Sequence, residues 1–472
     1  MRSLVNLPRD SALAKFMICL AFGLWVGGKA HAHAAEQGFV LLLPTEIYIP
    51  AAVAVFVATL VLVAVLPSSA TRRLMTPVVL TSALPAERLA TVTSIAATLV
   101  VLVLIWIGLT GPHDPLSNLL SLTIWTSWWI GFVVLHKLVG GLWRWINPWS
   151  GLLRLINGDR ATLSLPAWLG CWPAILGFAL FTSFSIADPV PADPTRLAAL
   201  TGGYWLVTLL GGILFGRDWL ERCDAFTVFF DLLSRISPLR LDQGLRLGFP
   251  GWGAMLGPTA TLSLAVFCLA VLGIGSFDGL NETFWWMAQI GVNPLDFQGR
   301  STIILETIAG FVGTIALLIA VFCACLWGGR ILAGAGSKPT LGRMVGHLAP
   351  ATLPIGLGFH AAHFFTSFAI DGQYVLAALT DPLATGADLL GLGDLRVRVG
   401  FLRDQEVVRW IWFGQAAVIV ASHMIAVVMS HAAFRRLFES GPRARRAEIP
   451  LSLFMVGYTI FGLWLLAAAR GA

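Results

Sequence analysis

The chain has 472 residues, 57% of them hydrophobic and only 12% charged, with a mean hydropathy of +0.80. Soluble domains carry about 25% charged residues, so a water-soluble globular fold is excluded and the solvent of this chain is the lipid bilayer. Unpaired backbone N–H and C=O groups are costly in hydrocarbon, which leaves helices or a closed barrel, and the long continuous apolar runs exclude alternating barrel strands. The expected fold is an all-α polytopic transmembrane bundle. The formal charge of +6 sits in particular loops and is explained by membrane topology, with no nucleic-acid partner.

Residues 1–32 read as a cleaved signal peptide, with Arg2, Arg9 and Lys15 before an apolar core at Phe16–Gly27 and a small-residue ending at Ala30-His31-Ala32. That core is about twelve residues, short of the roughly twenty that a span needs. The rest, 33–472, reads as a single transmembrane domain. Ten apolar runs follow, at 46–67, 90–110, 117–139, 166–185, 199–215, 258–275, 303–326, 347–370, 409–431 and 450–468. Arginine concentrates in alternate loops, five each in 216–257 and 432–449. The positive-inside rule then puts those loops in the cytoplasm and both mature termini in the periplasm of a bacterial inner membrane. Segment 223–237 (CDAFTVFFDLLSRIS) has the pattern of an amphipathic helix lying along the cytoplasmic interface.

Ionisable side chains within spans are costly enough to be functional candidates. On this topology one group falls in the outer half: His360 and His363 on the eighth span, His423 on the ninth, Glu306 near the outer end of the seventh, and Asp278 and Asp371 at span exits. His360 and His363, at i and i+3, project from one helical face and suit a shared divalent ion, with His423 arriving from the next span. Histidines at such spacing also fix packing by hydrogen bonding across helices. A second group, His136, Lys137, His347 and His431, falls at the cytoplasmic ends; His431, about 12 Å along the axis from His423, is too far to share an ion with it. Pro350, Pro354, Gly356 and Gly358, just before His360, allow a helix interruption.

The remaining signals are local. Cleavage after Ala32 would leave His33 as an amino-terminal copper ligand, whereas cleavage after Ala34 would not. The cysteines lie mostly in apolar runs and read as buried small hydrophobes. In Trp143-Arg144-Trp145-Ile146-Asn147-Pro148-Trp149 the tryptophans suit a headgroup belt, and the Asn-Pro spacing suits the cap of a re-entrant turn.

The chain resembles a family of bacterial polytopic membrane proteins labelled fenitrothion hydrolase. The resemblance is carried by WRWINPW at 143–149, WLERCDAFTVFFDLLSRISP at 219–238, SFDGLNET at 276–283, the segment from His363 through Gln373 into TDPLATGADLLG at 380–391, SHMIAVVMSH at 422–431 and MVGYTIFGLWLL at 455–466. Two departures stand out: the family has Tyr where Phe364 follows His363, and an acidic residue where Ala432 follows His431. The resemblance implies hydrolysis of an organophosphorus triester, a small apolar substrate reaching the site from the lipid. A divalent metal ion would activate water there, with His363 and His423 as ligands, His360 or Glu306 as a third, and Asp278 or Asp371 as orienter or general base. Two rival readings stay open: a transporter or metal-handling assembly protein using the same residues, and a structural subunit of a membrane complex with a second membrane partner.

Overall fold

The computed structural model describes residues 44–82, 87–158, 160–241, 244–293, 299–334, 339–393, 395–438 and 441–468; the expected signal peptide and His33 lie outside them. The principal helices are α1 (Thr45–Val65), α2 (Glu87–Thr110), α3 (Leu119–Leu138), α4 (Ser150–Asn157), α5 (Trp172–Ala187), α6 (Pro194–Phe215), α7 (Ala225–Ile236), α8 (Leu262–Asn281), α9 (Ile304–Leu332), α10 (Leu341–His363), α11 (Phe365–Thr380), α12 (Gln405–Leu437) and α13 (Gly441–Ala467). The architecture is the helical bundle that the composition demands. Every one of the ten apolar runs falls on a helix or, for 347–370, on the pair α10 and α11. Among the described residues eight helices are individually long and apolar enough to cross a membrane, nine if that bent pair counts as one.

Helices α1, α8, α9, α10, α12 and α13 pack together, and α2, α3, α4, α6 and α11 form a second group, with α5 and α7 against both. Small residues set the closest approach. Gly329 on α9 is buried against α13, where an added Cβ would lie 3.0 Å from the Ala447 carbonyl carbon and closer still to its oxygen. Backbone cannot rotate aside as a side-chain tip can, so Gly329→Leu should cost about 1–3 kcal/mol of overpacking. Thermal unfolding in detergent checks this, with Gly313→Leu, which meets nothing within 4 Å, as the neutral control.

A small sheet, β1 (Val78–Thr81), β2 (Val139–Gly140), β3 (Leu239–Leu241) and β4 (Leu245–Leu247), was not expected from the sequence. Its order is β1-β4-β3-β2, antiparallel except for the parallel pair β2/β3. The hairpin signal is the Leu-Arg-Leu alternation on either side of Gly244, whose φ of 103° only glycine adopts freely. The strands come from segments following the first, third and fifth apolar runs, so these three segments meet at one end of the bundle, the sheet end.

Asn147 is the cap that its spacing allowed. Its Oδ1 accepts the N–H groups of Trp149 and Ser150 at 3.0 Å each, its amide donates to Thr227 Oγ1 at 3.0 Å, and its carbonyl accepts from Ser94 Oγ. Asn147→Ala leaves two backbone donors without their acceptor, an expected loss of about 1–3 kcal/mol in the same unfolding assay. Asn147→Asp keeps the acceptor and should retain most of that stability.

Segment 223–237 forms a helix, but its apolar face enters the protein rather than the headgroups. Phe226 meets Trp128 at 4.6 Å, Phe229 meets Phe178 at 4.8 Å and Phe230 meets Trp143 at 4.7 Å, while Asp231 and Arg235 pair at 2.7 Å on the outer face. Asp224 caps the helix through Thr227 N at 2.9 Å and accepts from the Tyr204 hydroxyl; burial holds its carboxyl above the usual carboxylate range. The TDPLATGADLLG segment is two successive carboxylate-closed turns. Asp381 accepts from Thr385 N and Gly386 N, and Asp388 from Leu392 N and Gly393 N, with both glycines at positive φ. The Thr385 N–H holds the Asp381 carboxyl below its ordinary range.

Two irregularities bear on the site. Residues Thr123–Phe132 of α3 are wound as a π-helix, a form often found at functional positions. Between α10 and α11 the axis bends by 59° at Phe364. The proline cluster produces a 3-10 turn at Ala349–Thr352, but the sharp bend comes later, with no proline or glycine at the break itself.

Candidate functional site

The polar groups inside the bundle are arranged by depth along α8, α10, α12 and α13. At the end away from the sheet, His363 Nε2 lies 3.8 Å from Asp278 Oδ2, the histidine side chain 6% and the aspartate 26% exposed. That separation is long for a direct hydrogen bond and suits a bridging water. Phe359 stacks on the His363 ring at 5.4 Å and Phe364 meets it edge-on at 4.6 Å, so the imidazole has apolar walls beside its acidic neighbour Asp278.

Next inward is a cavity lined by Ser276, Phe359, Gly356, Tyr458 and Thr459, with room for about one water molecule. Ser276 and Tyr458 hydrogen-bond across it, one hydroxyl donating to the other and the second donating to the Leu272 carbonyl, which both can reach. Phe359 is therefore shared between the cavity and the His363 ring.

Thr459 leads from the cavity to His423, which is fully buried. His423 Nδ1 meets Thr459 Oγ1 at 2.7 Å and Nε2 meets Thr59 Oγ1 at 2.7 Å. Each threonine also has a helix carbonyl within reach of its hydroxyl proton, Met455 for Thr459 and Val55 for Thr59. A neutral imidazole donates from one nitrogen and accepts at the other. One threonine must then donate to the ring while the other donates to its own helix, and the two assignments are equivalent in geometry. The two assignments interconvert by a tautomer exchange and two hydroxyl rotations, so a proton delivered to Thr59 from outside the group would be matched by one leaving Thr459 towards the cavity.

No protein-family model, curated protein or solved structure matches this chain.

Beyond His423 the interior is mainly apolar, with Ala426, Val427 and Met455 and with the buried Ser430 hydroxyl turned back onto the Val427 carbonyl, until His431. This histidine is not a snorkelling interfacial residue. Its Nδ1 meets Glu448 Oε2 at 2.9 Å with side chains 0% and 2% exposed, and its Nε2 meets the Leu66 carbonyl at 3.2 Å. Glu448, which the sequence places just before the last apolar run, lies inside α13 and brings its carboxylate to His431 from another helix.

The other sequence candidates separate. His360 donates from Nε2 to the Trp129 carbonyl, 3.0 Å away, and faces the π-helix rather than His363. His136 pairs with the Phe230 carbonyl at 2.9 Å, not with His431. Glu306 is exposed in the first turn of α9, and Asp371 is buried on α11. Among the described residues no three His, Cys, Asp or Glu side chains are grouped to hold a metal ion. Lys137 gave no directional signal in the sequence; its Nζ points to Ser422 Oγ at 3.4 Å, next to His423, instead of towards a lipid headgroup. Thr59, Ser276, Tyr458 and Thr459 escaped notice because hydroxyls in spans ordinarily bond their own helix.

Proposed function

We propose that this chain is a proton-handling membrane transport protein. The observation that carries the reading is His423 held between two threonine hydroxyls of which either can take the donor role, beside a water-sized cavity. Support comes from the broken pair α10–α11, since discontinuous spans place binding groups at mid-depth in transporters. Intramembrane ionisable groups at successive depths fit a relay better than a single reaction centre. The test is proton flux into vesicles containing the purified protein and a trapped pH indicator, under an imposed pH gradient. Flux above empty vesicles that His423→Leu removes is the expected result, and wild-type flux no greater than empty vesicles overturns the reading.

A second reading, hydrolysis of organophosphorus triesters as the family resemblance implies, is favoured by the Asp278–His363 pair. A carboxylate beside an imidazole with apolar walls is the arrangement that lets histidine draw a proton from water. One imidazole and one carboxylate do not amount to a three-ligand set, so no step is routed through a metal. Release of nitrophenol from a dialkyl nitrophenyl thiophosphate, lost in His363→Gln and weakened in Asp278→Asn, supports hydrolysis; no release from wild type overturns it.

A further inference from the structure

Four carboxyl side chains are buried among the described residues: Asp188, Asp224, Asp371 and Glu448. Three are held. Arg196 pairs with Asp188 at 2.7 Å, Tyr204 and Thr227 hold Asp224, and His431 holds Glu448. Asp371 is 3% exposed and its Oδ2 has no hydrogen-bond partner.

Among the described residues, the elements packed on α11 show no countercharge paired with it. Helix α11 packs on the π-helical stretch Thr123–Phe132 and on Leu119–Leu122, neither of which contains a titratable residue. Helix α10 contributes His360 and His363, which are engaged with the Trp129 carbonyl and with Asp278. The following loop carries Arg396 and Arg398, and it is the Arg398 backbone that joins α11, through Gln373. An ionised carboxylate cannot be left in such a place without a large desolvation cost, whereas a neutral carboxylic acid can. A metal cation would need several ligands, and among the described residues Asp371 belongs to no group of three His, Cys, Asp or Glu side chains that could hold one.

From this placement, eight residues beyond His363 and on the far arm of the bend, we infer that Asp371 is the proton-binding carboxyl of the membrane domain, loaded when α11 lies against α3 and unloaded when the α10–α11 bend changes. In unloading, the Asp371 O–H bond breaks and the proton passes to water, leaving the carboxylate hydrated. The inference rests on the proton-handling reading and names its loading site.

The test uses the full-length protein in membrane vesicles and dicyclohexylcarbodiimide, an apolar reagent that reacts with protonated carboxyl groups. Mass spectrometry should find the adduct at Asp371 and not at exposed Asp388, with labelling that declines as pH is raised. Alongside it, infrared difference spectra between acid and alkaline pH should contain a protonated-carboxyl C=O band that is missing in Asp371→Asn. Absence of both adduct and band overturns the proposal, as does protection of Asp371 by sodium at constant pH, which would make it a metal-cation site. An adduct and band without any wild-type proton flux would sink the transport reading and leave the loaded carboxyl standing. Flux with neither signal would do the reverse.

Discussion

Glu448→Ala should deplete folded protein from the membrane more severely than any other single change considered. The substitution leaves His431, whose side chain is fully buried, without the carboxylate 2.9 Å from its Nδ1. Removing one partner of a buried pair costs about 3–5 kcal/mol, because the survivor is left desolvated and unmatched. The damage would spread, since the other nitrogen of His431 meets the Leu66 carbonyl and thereby ties the end of α1 to α12. Glu448→Gln, which keeps an oxygen for Nδ1, should fall between wild type and alanine. Replacing both residues by leucine should recover most of the loss, since a dry apolar pair satisfies what a half-pair cannot. Fluorescence-detected size-exclusion chromatography after heating reads all four proteins. Full stability in Glu448→Ala would contradict the pairing.

His423→Leu should do the opposite, abolishing transport while sparing the fold. Thr59 and Thr459 each retain a helix carbonyl, at 2.7 Å and 2.9 Å, so neither hydroxyl is stranded when the ring is removed. The stability cost should therefore stay near about 1 kcal/mol, the net worth of an ordinary hydrogen bond. Proton flux should drop to the level of empty vesicles, because His423 is the group that joins the two threonines among the described residues. Thr459→Val should give a partial loss, as it removes the link to the cavity while leaving the ring in place. Unchanged flux in His423→Leu would remove the relay from the account.

The positions of the helices were legible because apolar runs of span length admit one solution in lipid. The Asn147 cap was legible too, since an asparagine before proline and tryptophan has few other uses. The partners of the histidines were not. His360 and His363 share a helical spacing that places them about 60° apart around the axis, and that is enough for one to reach Trp129 and the other Asp278. Glu448 was hidden because hydropathy draws the last run from 450 onwards, whereas α13 begins at Gly441. The sheet was hidden because each of its strands is four residues or fewer and draws on segments far apart in the chain.

The largely apolar stretch of α12 between His423 and His431, eight residues and about 12 Å long, also has an electrical meaning. A membrane potential falls mainly across the part of a protein that water does not enter, so this short plug would bear most of the voltage. Moving one elementary charge through 100 mV takes about 2.3 kcal/mol. Widening the plug with polar side chains at Ala426 or Val427 would spread the field and let protons leak, so the leak conductance of such variants measures how well this protein insulates the membrane it occupies.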